Sequence, residues 1–274
     1  MKLLLLGGGG MAGHVIAGYL KKHTDDDIYV TSRDKKQHNH IHLDATDFNE
    51  LKEIITNIQP DFVINCIGVL NEFAAIRKRE AIILNSLLPH ELVRLLDSYG
   101  GKLIHISTDC VFSGSKGNYP ESSEPDGITV YARTKALGEV KEGSHLTIRT
   151  SIIGPELKDG IGLFHWFMNQ KGEIRGFTKV YWNGVTTLEL AKFITYAFKQ
   201  ELTGLYHLTA PEKVSKYELL KIIQDVFQKE DVVIKPHSEL FLDRTLLNTR
   251  EDINYKVPSY KKMLQELKAW MDAS

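Results

Sequence analysis

The sequence predicts an α/β chain built on a doubly wound parallel sheet, with a smaller C-terminal α/β part. Three observations predict it. Apolar strand-like runs and amphipathic stretches alternate five times in the first 140 residues. The first strand-to-helix junction is a run of glycines, Gly7 to Gly10 followed by Gly13. A later helix carries Tyr131 and Lys135 one turn apart, behind an apolar strand that ends in Ser107-Thr108-Asp109. Composition fits an ordinary globular protein: 274 residues, 42% hydrophobic, with a formal net charge of −1, which leaves no electrostatic footprint for nucleic acid or a membrane surface. The two cysteines, Cys66 and Cys110, lie in apolar strand-like runs, as in a reducing compartment. The first apolar run, Leu3 to Leu6, is far too short for a signal peptide or a membrane span, so a cytoplasmic location is expected.

Taken in order, Lys2 to Leu6 reads as a buried strand, and the glycines after it as GxxGxxG at Gly7, Gly10 and Gly13. Between a strand and a helix this pattern suits a dinucleotide phosphate: Gly7 for the tight turn, Gly10 for close backbone approach, Gly13 for helix packing, and helix N–H groups facing the anion. Ile28 to Ser32 is the second strand. Where an acid would hold a ribose 2′-hydroxyl, the chain has Thr31-Ser32-Arg33 and only then Asp34. Small hydroxyls with a guanidinium suit a 2′-phosphate, so NADP(H) is preferred and NAD(H) stays open through Asp34. His38, His40 and His42 alternate on the approach to the third strand, but no carboxylate or cysteine stands at matching spacing and no metal is expected. Asp47 and Glu50 have capping-box spacing for a helix to about Ile58. Asp61 to Gly68 is a strand-like run whose C-terminal end, Asn65 to Gly68, falls where ligands of parallel sheets lie. A long helix is expected from Glu72 to Ser98, bent or restarted at Pro89. Leu103 to Ser107 is the next strand.

On the helix that follows, a cation beside Tyr131 would favour the phenolate and bring its pKa towards working range, and Thr108 or Ser107 could hydrogen-bond the same substrate oxygen. Further on, Leu146 to Thr150 reads as a strand, and Phe164, Trp166 and Phe167 fall at near-helical spacing, a pattern more typical of core than of a nucleobase platform. Trp182 and Asn183 are expected exposed near a turn, as substrate contacts. Helices are expected over 186–199, 215–228 and 259–271, the second with a Ser215–Glu218 capping box. Arg244 and Arg250 are candidates for a substrate pyrophosphate, with solvated surface charge as the competing reading.

Together these motifs carry a family resemblance. GxxGxxG, STDCVFSG at Ser107 to Gly114, YARTK at Tyr131 to Lys135 with Gly138-Glu139, IRTS at Ile148 to Ser151 and GLYHLTAPEKVSKYELL at Gly204 to Leu220 resemble the extended short-chain dehydrogenase/reductase superfamily. Within it the chain is most similar to the dTDP-4-dehydrorhamnose reductase family. The resemblance implies a Rossmann-like NAD(P)-binding domain over 1–150. It implies a mainly substrate-binding part over 151–274, some of whose segments return to the first. It also implies reduction of the 4-keto group of a nucleotide-linked 4-keto-6-deoxy sugar for surface polysaccharide synthesis, with a homodimer compatible. Carried over residue by residue, Tyr131 would be the proton donor, Lys135 would lower its pKa and hold the nicotinamide ribose, and Thr108 would orient the ketone. Gly7, Gly10, Met11 and Ala12 would contact the pyrophosphate, Arg33 the adenosine ribose, Asp44 and Ala45 the adenine, and Cys66, Ile67 and Gly68 the nicotinamide side. Thr108, Asp109, Cys110, Trp166, Asn183 and Arg244 form the substrate-binding set.

Two departures stand out. Cys110 replaces the family's usual Tyr after Ser-Thr-Asp, and Ile152 its frequent Trp after Arg-Thr-Ser. Both remodel the sugar site, and the Cys version resembles a branch reducing UDP-4-keto-6-deoxy-N-acetylhexosamines. Cys110 supplies no carboxylate, which disfavours the dehydratases of the superfamily. A 4-epimerase and a non-enzymatic NADP-binding regulatory subunit remain as alternatives.

Overall fold

The computed structural model describes residues 1–37, 39–157 and 160–273. Its centre is a seven-stranded sheet made, in chain order, of β1 (Lys2–Leu6), β2 (Asp27–Ser32), β3 (Ile41–His42), β4 (Phe62–Asn65), β5 (Lys102–Thr108), β6 (Leu146–Thr150) and the strand Gly204–His207. Across the sheet the order is Gly204–His207, β6, β5, β4, β1, β2, β3, and every pairing is parallel. The winding direction reverses at β1, so a crevice opens beyond the C-terminal ends of β1 and β4.

Strands of such a sheet are covered on both faces, which is why they read as continuous apolar runs. In β1, Leu3 and Leu5 join one core with Ile16, Leu20, Ile64 and Ile104, while Leu4 and Leu6 join the other with Leu51, Val63, Leu92 and Leu103. The helix α1 (Met11–His23) covers the first face and α2 (Phe48–Ile58) the second. Asp47 caps α2 by accepting the Asn49 and Glu50 N–H groups, but the expected box does not close. Glu50 instead accepts the Asp44 N–H at 3.0 Å and meets His42 at 3.3 Å. His40 is half-buried, and His38 lies outside the described residues.

The long helix expected over 72–98 is interrupted. It comprises Asn71–Ile76, Lys78–Ala81, a π-helical stretch Ile82–Leu87 and Leu88–Asp97. Asn85 lies fully buried in the π stretch. Its Nδ2 donates to the Val69 carbonyl and the Thr134 hydroxyl, and its Oδ1 accepts the Val69 N–H. Pro89 stands in the first turn of the last piece, directly after the π stretch, where a restart is expected.

The C-terminal part adds small sheets beyond the crevice: Ile152–Ile153 with Val185–Thr186, Gly172–Phe177 with Val232–His237, and Val180–Trp182 between Val214–Ser215 and Leu242–Asp243. The strand Gly204–His207 returns to the main sheet beside β6. The Ser215–Glu218 capping box forms as expected. Trp182 does not lie exposed: it is 3% accessible, because its strand is the middle one of three and its ring packs against Tyr260. Asn183 is half-buried and spends its amide on the chain itself, donating to the Leu246 carbonyl at 2.6 Å and accepting the Leu246 N–H at 3.0 Å. It thus ties the C-terminal segment down. Arg250 is likewise structural, donating to Asp252 and to the Thr203 and Leu205 carbonyls. Among the described residues no helix is long and apolar enough to cross a membrane.

Candidate active site

The glycine run makes a backbone cradle. Gly7 has φ +87°, a conformation that glycine adopts without strain, and its carbonyl accepts the Gly10 N–H at 3.0 Å. A Cβ at Gly13 would lie 2.1 Å from the Gly7 oxygen, so only glycine lets α1 close on the turn. Beyond the cradle runs a cleft of about 350 Å³, lined by Gly7, Gly10, Arg33, Asp44, Ala45, Cys66, Ile67 and Gly68 among others. Met11 and Ala12 stand in the first turn of α1, and Ala12 is buried against the core rather than lining this cleft. The Thr46 N–H and hydroxyl hold the Asp44 carboxyl below its ordinary pKa.

At the outer end, Arg33 and Arg77 share one carboxylate. Arg33 Nη1 is 3.1 Å from Glu80 Oε1, and Arg77 Nη1 is 3.2 Å from Glu80 Oε2. Sequence reasoning found Arg33 but missed Arg77 and Glu80, which line the cleft at the point where the long helix breaks. The cradle and these paired guanidiniums fit a dinucleotide, the latter an adenosine 2′-phosphate.

At the inner end, β5 and the helix Val130–Leu137 bring Thr108, Tyr131 and Lys135 together. The Thr108 hydroxyl accepts the Cys110 N–H at 3.1 Å and donates to Asp109 Oδ1 at 3.2 Å. Burial raises the Tyr131 phenol, and Thr108 beside it pulls the other way. Burial brings Lys135 down to about 8, opposed by Glu139 and Cys66. After burial, Cys110 raises the phenol further and Thr108 opposes it, while Lys135 Nζ donates to the Ile106 carbonyl at 2.7 Å and meets His105 Nε2 at 3.2 Å.

This corner is braced by an ion pair that the sequence did not announce. Glu139 and Arg149 are both buried and bidentate, Nε to Oε1 at 2.7 Å and Nη2 to Oε2 at 2.6 Å. The Ser107 hydroxyl donates to the same carboxylate at 2.8 Å. Ser107 thereby serves the scaffold, leaving Thr108 as the hydroxyl beside Tyr131. On the other side of the helix, Asn85 reaches Thr134, and a Cβ at Gly138 would lie 1.9 Å from the Asn85 carbonyl oxygen.

Past Thr108 lies a charged corner. Burial raises Asp109, opposed by Arg244 and Lys216. Arg244 Nη1 donates to Cys110 Sγ at 3.5 Å, and Lys216 Nζ lies 5.1 Å from the Trp182 ring centre. Burial lowers Lys216 to about 8, with Asp109 pulling it back. Lys216 was not singled out in the sequence; a lysine opening a capped helix carries no signal by itself. Trp166 is 39% exposed while Phe164 and Phe167 are buried, so that short helix divides between core and surface.

The fold and the arrangement at its crevice define a short-chain dehydrogenase/reductase. More narrowly, the chain belongs to the RmlD substrate binding domain family, whose profile matches residues 1–242. It is similar to the dTDP-4-keto-6-deoxy-D-glucose reductase of Streptomyces niveus, 24% identical over 230 residues, covering 80% of this chain and 76% of that one. It is also similar to methionine adenosyltransferase 2 subunit beta of Danio rerio, 23% identical, covering 87% and 77%. Among solved structures, dTDP-4-dehydrorhamnose reductase from Bacillus anthracis in complex with NADP superposes with a TM-score of 0.83 over 100% of both chains at 20% identity, a likeness of fold.

Proposed function

We propose that the chain is an NAD(P)H-dependent reductase, preferring NADPH, that reduces the 4-keto group of a nucleotide-activated 4-keto-6-deoxy sugar for surface polysaccharide synthesis. The observation that carries this reading is the meeting of Thr108 and Tyr131 on the same side as Lys135, whose neighbour Cys66 lines the cleft that the glycine cradle opens. The cofactor supplies the hydride. Residues 1–150, with the strand Gly204–His207, would hold it: Gly7, Gly10, Met11 and Ala12 at the pyrophosphate, Asp44 and Ala45 at the adenine, Arg33 with Arg77 at a 2′-phosphate, and Cys66 to Gly68 with Lys135 at the nicotinamide side. Thr108 holds the ketone oxygen and Tyr131 gives its proton to the alkoxide as it forms. The high phenol pKa suits this direction of reaction, since it keeps the proton on Tyr131 until a stronger base appears.

The remainder of the chain would wall the sugar site, with Asp109, Cys110 and Arg244 nearest the reacting carbon and Trp166 at the rim. The protein is read as cytoplasmic, and a homodimer is compatible. A panel of UDP- and dTDP-4-keto-6-deoxy sugars, with and without an acetamido group, tests the reading through NADPH oxidation. Oxidation with one member supports it. The similarity to a methionine adenosyltransferase subunit favours a second reading, an NADP-binding regulator. Silence across the panel, together with a stable partner on co-purification, would replace the first reading by the second.

A further inference from the structure

Behind Lys135 stands a fully buried histidine that the mechanism above does not use. His105 is in β5, and both of its ring nitrogens face nitrogen atoms: Nδ1 is 3.2 Å from Asn65 Nδ2, and Nε2 is 3.2 Å from Lys135 Nζ. The orientation of the Asn65 amide is fixed, because its Oδ1 accepts the Ile67 N–H at 3.1 Å. Nδ2 is therefore a donor, and His105 Nδ1 must accept from it. A neutral imidazole then carries its proton on Nε2 and points it at Lys135. An ammonium there would set donor against donor, whereas a neutral amine accepts the Nε2–H and still donates to the Ile106 carbonyl.

We propose that His105, polarised by Asn65, is a positioning residue that turns its Nε2–H on Lys135 and so disfavours the ammonium, which a hydrogen-bond acceptor bound in the cleft favours again, the proton coming from solvent. This deepens the reductase reading and rests on it for its use in catalysis. The surroundings agree. The groups facing Lys135 are His105 from β5, Cys66 beyond β4 and Glu139 along the chain; Glu139 is already committed to Arg149 and Ser107. Burial, the chief cause, holds His105 well below the ordinary imidazole value, so the ring is neutral. Burial already lowers Lys135 in the same direction.

The test reads the charge on Lys135 directly. In the full chain freed of nucleotide and labelled with 15Nζ-lysine, the Lys135 resonance, identified by its loss in Lys135→Met, is followed against pH by NMR. The expected midpoint is near 8, well below the ordinary lysine value of about 10.4. Asn65→Asp would accept from Nδ1–H, move the ring proton and turn Nε2 into an acceptor, so the midpoint should rise by about 1–3 units. His105→Gln offers a carbonyl to the ammonium and should shift it in the same direction. This second variant carries the test alone if the buried carboxylate prevents folding. A native midpoint in the ordinary range, or one unmoved in the folded variants, overturns the proposal. Failure of the reductase reading would be seen separately, as silence on the sugar panel with the midpoint still low.

Discussion

The two ends of the cleft use the same side-chain chemistry in different surroundings. At the outer end Arg33 and Arg77 share Glu80 in the open, with side chains 65%, 45% and 22% exposed. At the inner end Glu139 and Arg149 are wholly buried, and Lys135 and Tyr131 are buried beside them. Water screens the first set, so its pairs hold weakly and exchange readily for a ligand's charge. The second set has no water to fall back on. Its charges survive only by bidentate pairing, and the unpaired groups are pushed towards neutrality. One end is built to be rearranged by what binds, the other to stay as it is.

The largest effect should come from the inner end. Tyr131→Phe is expected to lower kcat by about 10²–10⁴-fold, the range for loss of a general acid, while NADPH affinity by fluorescence titration stays near native. A near-native rate would remove the phenol from the mechanism. Glu139→Gln leaves Arg149 buried without its countercharge and should cost about 3–5 kcal/mol in urea unfolding, the range for breaking a buried pair. A loss as small as that of a surface pair would erase the contrast between the two ends. Gly13→Ala probes the cradle between them. Overpacking against the Gly7 carbonyl should cost about 1–3 kcal/mol and weaken dinucleotide binding, read by thermal unfolding with and without NADPH. The smallest change belongs to the outer end. Glu80→Gln frees both guanidiniums and should tighten NADPH a few-fold, in keeping with the ~1 kcal/mol ceiling of exposed pairs, leave NADH unchanged, and fade as salt is added. Equal gains for both cofactors would place the 2′-phosphate elsewhere.

What could be read from the sequence follows the same division. Period and punctuation carried the fold: the Leu3–Leu6 strand, the glycine turn and the alternation of elements are local patterns, and the sheet order follows from them. Tyr131, Lys135 and Thr108 were legible because their spacing on one helix and one strand end is itself local. Arg77 and Glu80 were not, since the break at Arg77 interrupts a stretch that reads as one continuous helix. Trp182 was misread as exposed because its burial depends on strands supplied from residues 214 and 242. The Glu139–Arg149 pair and the Lys216 contact are likewise products of tertiary approach. Asn85 and His105 carried no local signal, because what they do depends on partners distant in sequence.

The tie between Asn183 and the backbone of Leu246 has a consequence for how the protein is made. A ribosome delivers Thr108, Tyr131 and Lys135 early, and these can settle on the sheet while synthesis continues. Arg244, which closes on Cys110, and the strand Leu242–Asp243, which joins Val180–Trp182, emerge much later. Until that segment is clear of the exit tunnel, a nascent chain holds Thr108 and Tyr131 beside an unfinished wall. The segment proposed to wall the sugar is thus placed last, after the groups proposed to react.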